Sequence, residues 1–454
     1  MRRATPAAVA SRRFAAASLL ILGLLAAGCA PPPSPRSAPP PPVTPRGEPS
    51  PAEATGPPGP LRLEGEPTID VGLAWDVDAA NLTLEPGTPV ATSVGRIGRR
   101  SGELVIRSDR VQPGVIDFGL DVPHSVLPAG DTLWIGDPER PGQARTGWNG
   151  KSWRGAFKVF AGPRGGITLA VRLPLETYLL GVVPLEIGGL TKDLVEAGRA
   201  QAIAARSYTL FYRGRRASEG FDLYGTVEDQ VYGPVESERP LATECVGDTR
   251  GKVALYDGQP IRANYCSTCG GITAGVWEAW PAAPLPYLES RRDADDHGDW
   301  CATSPQYRWR ERWTAAEFLA DVARFGPQQG LQLPAGGLGE LVDVRVDARS
   351  RSGRVWRLLV RTTACDLAIP AYAVRGTLRR SGSPGAILRS DLFKVDVRRD
   401  PAGGRALEVV ASGAGAGHGV GLCQTGALGM ARAGAKAEEI LEHYYQRATL
   451  KKLY

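Results

Sequence analysis

At 454 residues, 43% hydrophobic and 22% charged, the chain can bury one large core or two moderate ones. Its formal charge of +6 is small for that length, and Arg2, Arg3, Arg12 and Arg13 crowd the extreme N-terminus. The charge balance is therefore weak evidence for a nucleic-acid-binding surface.

Residues 1–29 read as a targeting segment. The N-terminal arginines form a basic region, and Phe14–Ala27 an apolar one too short to span a bilayer comfortably. Leu25-Ala26-Ala27-Gly28-Cys29 resembles a bacterial lipobox, with Ala26 where leucine is commoner. The expected outcome is cleavage before Cys29 and lipidation of its thiol; the alternative is a plain secretory signal. Ala30 after the cysteine fits sorting to the periplasmic face of the outer membrane in a Gram-negative cell. Residues 30–66, rich in Pro, cannot bury enough surface to fold and read as a tether.

From residue 67 to 454 the pattern is globular. TIDVGLAW, NLTLEP, ELVIRS, GVIDFGL and DTLWIG alternate and are punctuated by Gly, Pro and Asp, which predicts an antiparallel sheet reaching about residue 172. Pro174–Val183 is predicted helical, stopped by Pro184, with Leu185–Gly189 as a turn. A second helix begins at Thr191, with Asp193 near its positive end; Leu194, Ala197, Gln201, Ala204, Tyr208 and Phe211 share one face. Two strands, Gly251–Tyr256 and Pro260–Tyr265, flank an Asp257-Gly258 turn. A helix over Thr314–Phe325 and strands over Leu341–Asp347 and Val355–Thr362 follow, and helices over 424–433 and 436–445 close the chain. The fold class is α+β: mostly antiparallel sheets around a central helix, as one large or two closely packed domains.

Some residues break these patterns. Glu186, between Leu185 and Ile187, invites desolvation and a raised pKa suited to a general acid. Gln201 places an amide in an apolar stripe, where it must find partners. The loop Cys266-Ser267-Thr268-Cys269-Gly270-Gly271 offers Ser267 and backbone amides to sugar hydroxyls, with Gly270 and Gly271 allowing close approach or simply a tight loop. The alternating glycines from Gly413 to Gly421 are expected to leave one face of a strand bare, with His418 on the other side as a binding, proton-transfer or structural histidine. Trp309 and Trp313 can stack on sugars or fill a core. An exported chain favours disulfides, and Cys269 with Cys301 is the preferred pair. The rival is a zinc site of Cys266, Cys269, His297 and Cys301; no metal or other cofactor is favoured.

Five blocks in order carry a resemblance: LPLETYLLGVVPLEIG (173–188), EAGRAQAIAARSY (196–208), DQVYGPVE (229–236), TRGKVALYDGQPIRANYCSTCGG (249–271) and GAGHGVGLCQTGALGMARAGAKAEEILEHYY (415–445). They are similar to the signature of the SpoIID/LytB family, named for a sporulation protein and an amidase enhancer. The likeness runs over roughly 68–447, densest in 165–275 and 413–447. It implies a peptidoglycan lytic transglycosylase whose acid/base is Glu186, acting on glycan strands stripped of peptide stems. Gln201, Arg206, Tyr208, Gln230, Tyr232, Ser267, His418 and Gln424, with Gly270 and Gly271 beside them, are then expected to orient the sugar and the acid. Sporulation-type members carry a Cys/His zinc cluster immediately before the QVY element; this chain has Gly225-Thr226-Val227-Glu228-Asp229 there. The other reading the resemblance allows is a non-catalytic wall-binding activator of an amidase. The partners implied are glycan strands, a cell-wall amidase and, through the lipid anchor, a membrane; nucleic acid is not among them.

Overall fold

The computed structural model describes residues 61–93, 95–109, 114–118 and 126–454. The leader, Cys29, residues 30–60 and part of the strand expected over 114–120 lie outside the described residues. The last part of the segment read as a tether is held to the domain. Leu61 N–H donates to Gly258 O at 2.9 Å, and the Glu66 carboxylate accepts from Glu176 N–H at 2.8 Å while meeting Arg250. Among the described residues no helix is long and apolar enough to cross a membrane.

The alternating segments pair into an eleven-stranded sheet. Along Ala79–Thr92 the apolar positions Ala80, Leu82, Leu84 and Val90 face inward while their neighbours face out. Ile167–Pro174 differs. Ile167, Leu169, Ala170, Val171 and Leu173 are all buried, because this strand lies between Thr68–Val77 and Ala156–Ala161 and is covered on both faces. It runs straight into helix α1 (Leu175–Ile187).

Pro184 does not end α1, contrary to the sequence expectation. The helix continues to Ile187 and stops at Gly188, whose φ of +81° leaves the helical region. Proline's fixed φ suits a helix, so its cost here is one missing bond to Leu180 C=O and local crowding. Burial of Val182, Val183, Pro184 and Ile187 offsets that cost. Glu186 is thereby a helical residue rather than a turn residue.

Thr191 does not cap the second helix with its side chain either; its hydroxyl donates to Asp193 at 2.6 Å, and a 3₁₀ turn over Lys192–Leu194 leads into α2 (Val195–Tyr212). The predicted stripe of α2 is buried up to Tyr208, while Phe211 is exposed. Ala202, Ile203, Ala205, Arg206, Ser207 and Thr209 are buried as well. The helix is central and covered all round, by α1, by helices Pro240–Asp248, Gln424–Arg432 and Ala437–Tyr444, and by strand Lys252–Tyr256.

Apolar side chains segregate into two cores. The larger joins the sheet, α1, α2 and the last helices; the smaller spans Trp309 to Ala411 and contains the buried Trp309 and Trp313. In the smaller unit, Arg308–Thr314, Phe393–Arg399 and Ala406–Ala414 form one antiparallel sheet and Leu341–Arg349, Val355–Thr362 and Asp366–Pro370 another. Helix Ala315–Phe325 begins with a complete capping box, Thr314 accepting from Glu317 N–H while the Glu317 carboxylate accepts from Thr314 N–H. The segment after Ala414 is not a strand with a bare face. Gly415, Gly417, Gly419 and Gly421 take φ values of +72 to +103°, so the chain reverses its lean at every second residue. A side chain at Gly421 would strike Asn264 O, and one at Gly419 the Arg354 guanidinium.

Candidate active site around Glu186

Glu186 lies in the last turn of α1, half-buried, with its carboxylate facing the QVY segment. Gly181 allows this. A Cβ there would sit 2.5 Å from the Tyr232 ring and 2.6 Å from Gly233 O, so only glycine lets α1 press against 231–233. Gly233 N–H donates to Gly181 O at 3.2 Å, and one turn on, Val231 N–H donates to Glu186 Oε1 at 2.9 Å. The other oxygen, Oε2, accepts from Gln424 Nε2 at 3.2 Å. Tyr265 is a further hydrogen-bond partner of the carboxyl group. Burial raises the Glu186 pKa, opposed by these three donors, and no cation contributes to the balance. A carboxyl group held in this way keeps its proton to a higher pH than an ordinary glutamate.

The Tyr265 hydroxyl accepts from Gln230 Nε2 at 2.9 Å, and Gln230 Oε1 accepts from Thr209 Oγ1 of α2 at 2.7 Å. Gln230 is fully buried, so it braces Tyr265 from behind. His418 adjoins the same tyrosine through the Tyr265 backbone, receives Val420 N–H on Nδ1 at 3.0 Å, and lies 4.7 Å from the Trp280 ring. Desolvation, with Arg375 and Arg262 adding to it, pushes the His418 imidazole down to about 3. It is neutral at physiological pH, a hydrogen-bonding group rather than a cationic acid. Beyond Trp280 a groove of about 460 Å³ is lined by Trp277, Trp280, Trp356, Tyr372, Arg357 and prolines.

The structure thus gathers Glu186, Gln230, Gln424 and His418, and adds Tyr265 and Trp280, which the sequence reading passed over. Tyr265 directly precedes the Cys266–Gly271 loop, the one signal that marked it. Ser267 is exposed, its carbonyl accepting from Thr425 N–H and Oγ1 at 3.1 and 2.9 Å. Gly270 and Gly271 take φ of +85 and +104°, and a side chain at Gly271 would strike Asp299. Arg354, from the smaller core, donates to Cys269 O at 2.9 Å and Ile272 O at 3.1 Å and fixes this loop. Tyr208 is buried, its ring 4.5 Å from Tyr212 and 6.2 Å from Tyr265, and Tyr232 packs between Trp153 and Tyr178.

Like Gln230, Tyr208 and Tyr232, two further expected substrate contacts, Arg206 and Gln201, lie inside the protein. Arg206 is fully buried, and Nε and Nη2 grip the Glu176 carboxylate at 2.8 and 2.7 Å while Nη1 donates to Lys252 O at 3.0 Å. Gln201 is 0% exposed, and neither amide atom has a hydrogen-bond partner among the described residues. Helix periodicity placed Gln201 on the buried stripe of α2; Arg206, expected at the substrate from the family resemblance, is covered as well because other elements pack around that helix.

The cysteines meet differently from either expectation. All six described cysteines are free. Cys269 and Cys301 are adjacent but unbonded, with sulfurs 3.8 Å apart. Cys266 lies apart from the cluster they form, buried so that its thiol is pushed up to about 12, and His297 is exposed in a hairpin turn. Cys423 and Asp293 take their places. Sequence separation concealed this, since Cys423 lies 154 positions from Cys269.

Comparisons with known proteins now bear on the site. A family model described as "Stage II sporulation protein" matches residues 163–256, which contain Glu186 and Gln230. A second, a domain of unknown function (DUF8618), matches 295–421, containing the smaller core and His418. The chain is 28% identical over 289 residues to the Bacillus subtilis (strain 168) "Stage II sporulation protein D", covering 60% of this chain and 73% of that protein. It is also 28% identical over 296 residues to the "Amidase enhancer" of the same organism, covering 60% of this chain and 40% of the relative. An uncharacterized protein of Brachyspira hyodysenteriae is 28% identical over 280 residues, 65% of its length.

Proposed function

Because this chain belongs to the SpoIID/LytB family, we propose that it is a lytic transglycosylase cleaving peptidoglycan glycan strands freed of their peptide stems, with Glu186 as its single acid/base. The observation that carries this reading is a half-buried carboxyl group with a raised pKa, held by the neutral donors Val231 N–H, Gln424 and Tyr265. Protonated Glu186 gives its proton to the glycosidic oxygen as the C1–O bond of the muramyl residue breaks. The resulting carboxylate takes the proton of the same sugar's 6-hydroxyl as that oxygen bonds to C1. Glu186 regains its proton, no water is consumed, and the product ends in a 1,6-anhydro ring. A hydrolytic glycosidase uses a second carboxylate. Glu176, at the opposite end of α1, is engaged by Arg206, and Asp229 by Arg215, Arg216 and Tyr224 N–H. Gln424 and Tyr265 orient the acid, neutral His418 lies against Trp280, and Trp277, Trp280 and Trp356 present faces on which sugars stack.

A second reading, a non-catalytic activator of a wall amidase, is favoured by the match to an amidase enhancer. The test compares the purified full chain with its Glu186→Gln variant on denuded glycan strands, products being read by mass spectrometry. Anhydro-muramyl ends from the wild type alone support the enzyme. Binding without products from either protein transfers the function to the activator. Export, lipid anchoring at Cys29 and the domain limits 1–29, 30–66 and 67–454 belong to the same proposal, checked by the mass of the mature N-terminus.

A further inference from the structure

Away from Glu186, four buried side chains from separate segments converge: Cys269 in the loop after Tyr265–Cys266, Asp293 and Cys301 on either side of the Ala294–Asp299 hairpin, and Cys423 at the start of helix Gln424–Arg432. We propose that Cys269, Cys301, Cys423 and Asp293 are the four ligands of a structural zinc ion.

The spacing suits it. Their ligand atoms all lie within 4.8 Å of one another. A tetrahedral ion with Zn–S bonds of about 2.3 Å places its sulfurs about 3.8 Å apart, and Cys269 and Cys301 are 3.8 Å apart. Asp293 Oδ2 faces Cys269 Sγ at 3.0 Å. Three sulfurs and a carboxylate oxygen turned towards one buried point form the donor set a divalent cation takes, the ion displacing the thiol protons. A disulfide would use two of the three sulfurs and leave the third beside the acid.

Backbone N–H groups point at two of the sulfurs. Gly271 N–H donates to Cys269 Sγ at 3.4 Å, and Cys269 and Gly426 N–H groups donate to Cys423 Sγ at 3.2 and 3.3 Å. The second oxygen of Asp293 is held by Tyr444 OH at 2.7 Å and His443 Nε2 at 3.3 Å, which orients Oδ2 inward in the manner of an outer-shell support. Three thiolates and one oxygen in a closed, compact set select zinc among common ions, whereas an iron–sulfur cluster usually takes four thiolates. The site lies apart from residues 225–229, which precede QVY.

The metal has a job in the fold. Cys423 pairs in register with Cys266, and the next residue, Gln424, reaches Glu186. A zinc ion would tie the Cys266–Gly271 loop, the hairpin and the first turn of the C-terminal helix into one unit, making Cys423 a positioning residue for Gln424. The assignment does not depend on the transglycosylase reading.

The test is metal analysis of the full chain purified without chelator. One zinc per chain is expected, released stoichiometrically when a mercurial titrates the thiols of the wild type, a readout that needs no variant to fold. Exchange with cobalt(II) should produce thiolate-to-metal charge-transfer absorption. Cys301→Ser and Asp293→Asn should lower zinc occupancy at least tenfold, while Cys365→Ser, outside the cluster, should leave it unchanged. Metal-free protein, a Cys269–Cys301 disulfide in the peptide map, or zinc unaffected by Cys301→Ser would overturn the proposal.

Discussion

The two ends of α1 carry two glutamates ten positions apart, and their surroundings make them different acids. Glu176, in the first turn, is buried against Arg206, Gly251 N–H at 3.2 Å and Tyr454 OH at 2.6 Å. Desolvation alone would raise its pKa, but the Arg206 guanidinium and the hydrogen bonds outweigh it, so the pKa is lowered. Glu186, in the last turn, has comparable desolvation and only neutral donors, so its pKa is raised. Burial is common to both; the partner cation decides. One carboxylate is a structural strut, and the other holds its proton to a higher pH than an ordinary glutamate.

The largest effect that tests this contrast is Glu186→Gln, expected to lower transglycosylase turnover about 10²–10⁴-fold, the usual share of a general acid, with the circular-dichroism spectrum unchanged. Glu176→Gln should do the reverse: a loss of about 3–5 kcal/mol of stability from stranding buried Arg206, read by urea unfolding, with specific activity of the folded fraction retained. Equal activity losses in the two variants would erase the distinction. The sign of the linkage sharpens it. Because the folded Glu176 pKa is depressed, its stabilisation is present above the ordinary carboxylate pKa and is lost as pH falls through the folded value. Wild-type urea midpoints should therefore fall on acidification more steeply than those of Glu176→Gln.

A smaller effect concerns the donors. Gln424→Leu removes one that lowers the Glu186 pKa, so the basic limb of the kcat/KM profile, where the acid loses its proton, should move to higher pH. An accompanying loss of about tenfold in rate corresponds to one hydrogen bond to a charged group. Smallest is the stability effect of Glu186→Gln itself. A raised folded pKa stabilises below the unfolded value, and that contribution is lost as pH rises through the folded one. The variant should thus melt slightly higher than wild type at neutral pH, opposite in sign to Glu176→Gln.

Much of this was legible in the chain. The α+β class, the Asp257-Gly258 hairpin turn, the stripe on α2 and the oddity of Glu186 all follow from period, turn chemistry and one misplaced charge. The order of the five blocks pointed to the family, and Gln424 and His418 came with it. Other features were not readable. Pro184 looked like a stop because a proline's local cost is visible in sequence while the burial that offsets it is not. The glycines of 415–421 read as a smooth strand because a two-residue period does not report the sign of φ. Arg206 looked available for substrate because its partner, Glu176, lies 30 positions away.

Local chemistry was determined by the sequence itself: which segments can be strands or helices, where turns fall, and which side chains can ionise, coordinate or stack. Those properties depend on a residue and its near neighbours. The tertiary structure alone decided what each ionisable group faces. Whether Glu176 meets a cation while Glu186 meets two amide donors and a tyrosine, and whether Cys269 has one thiol beside it or two with a carboxylate, depends on contacts between distant segments. Electrostatic energy in a buried site varies steeply over a few ångströms, and sequence spacing carries no such distances.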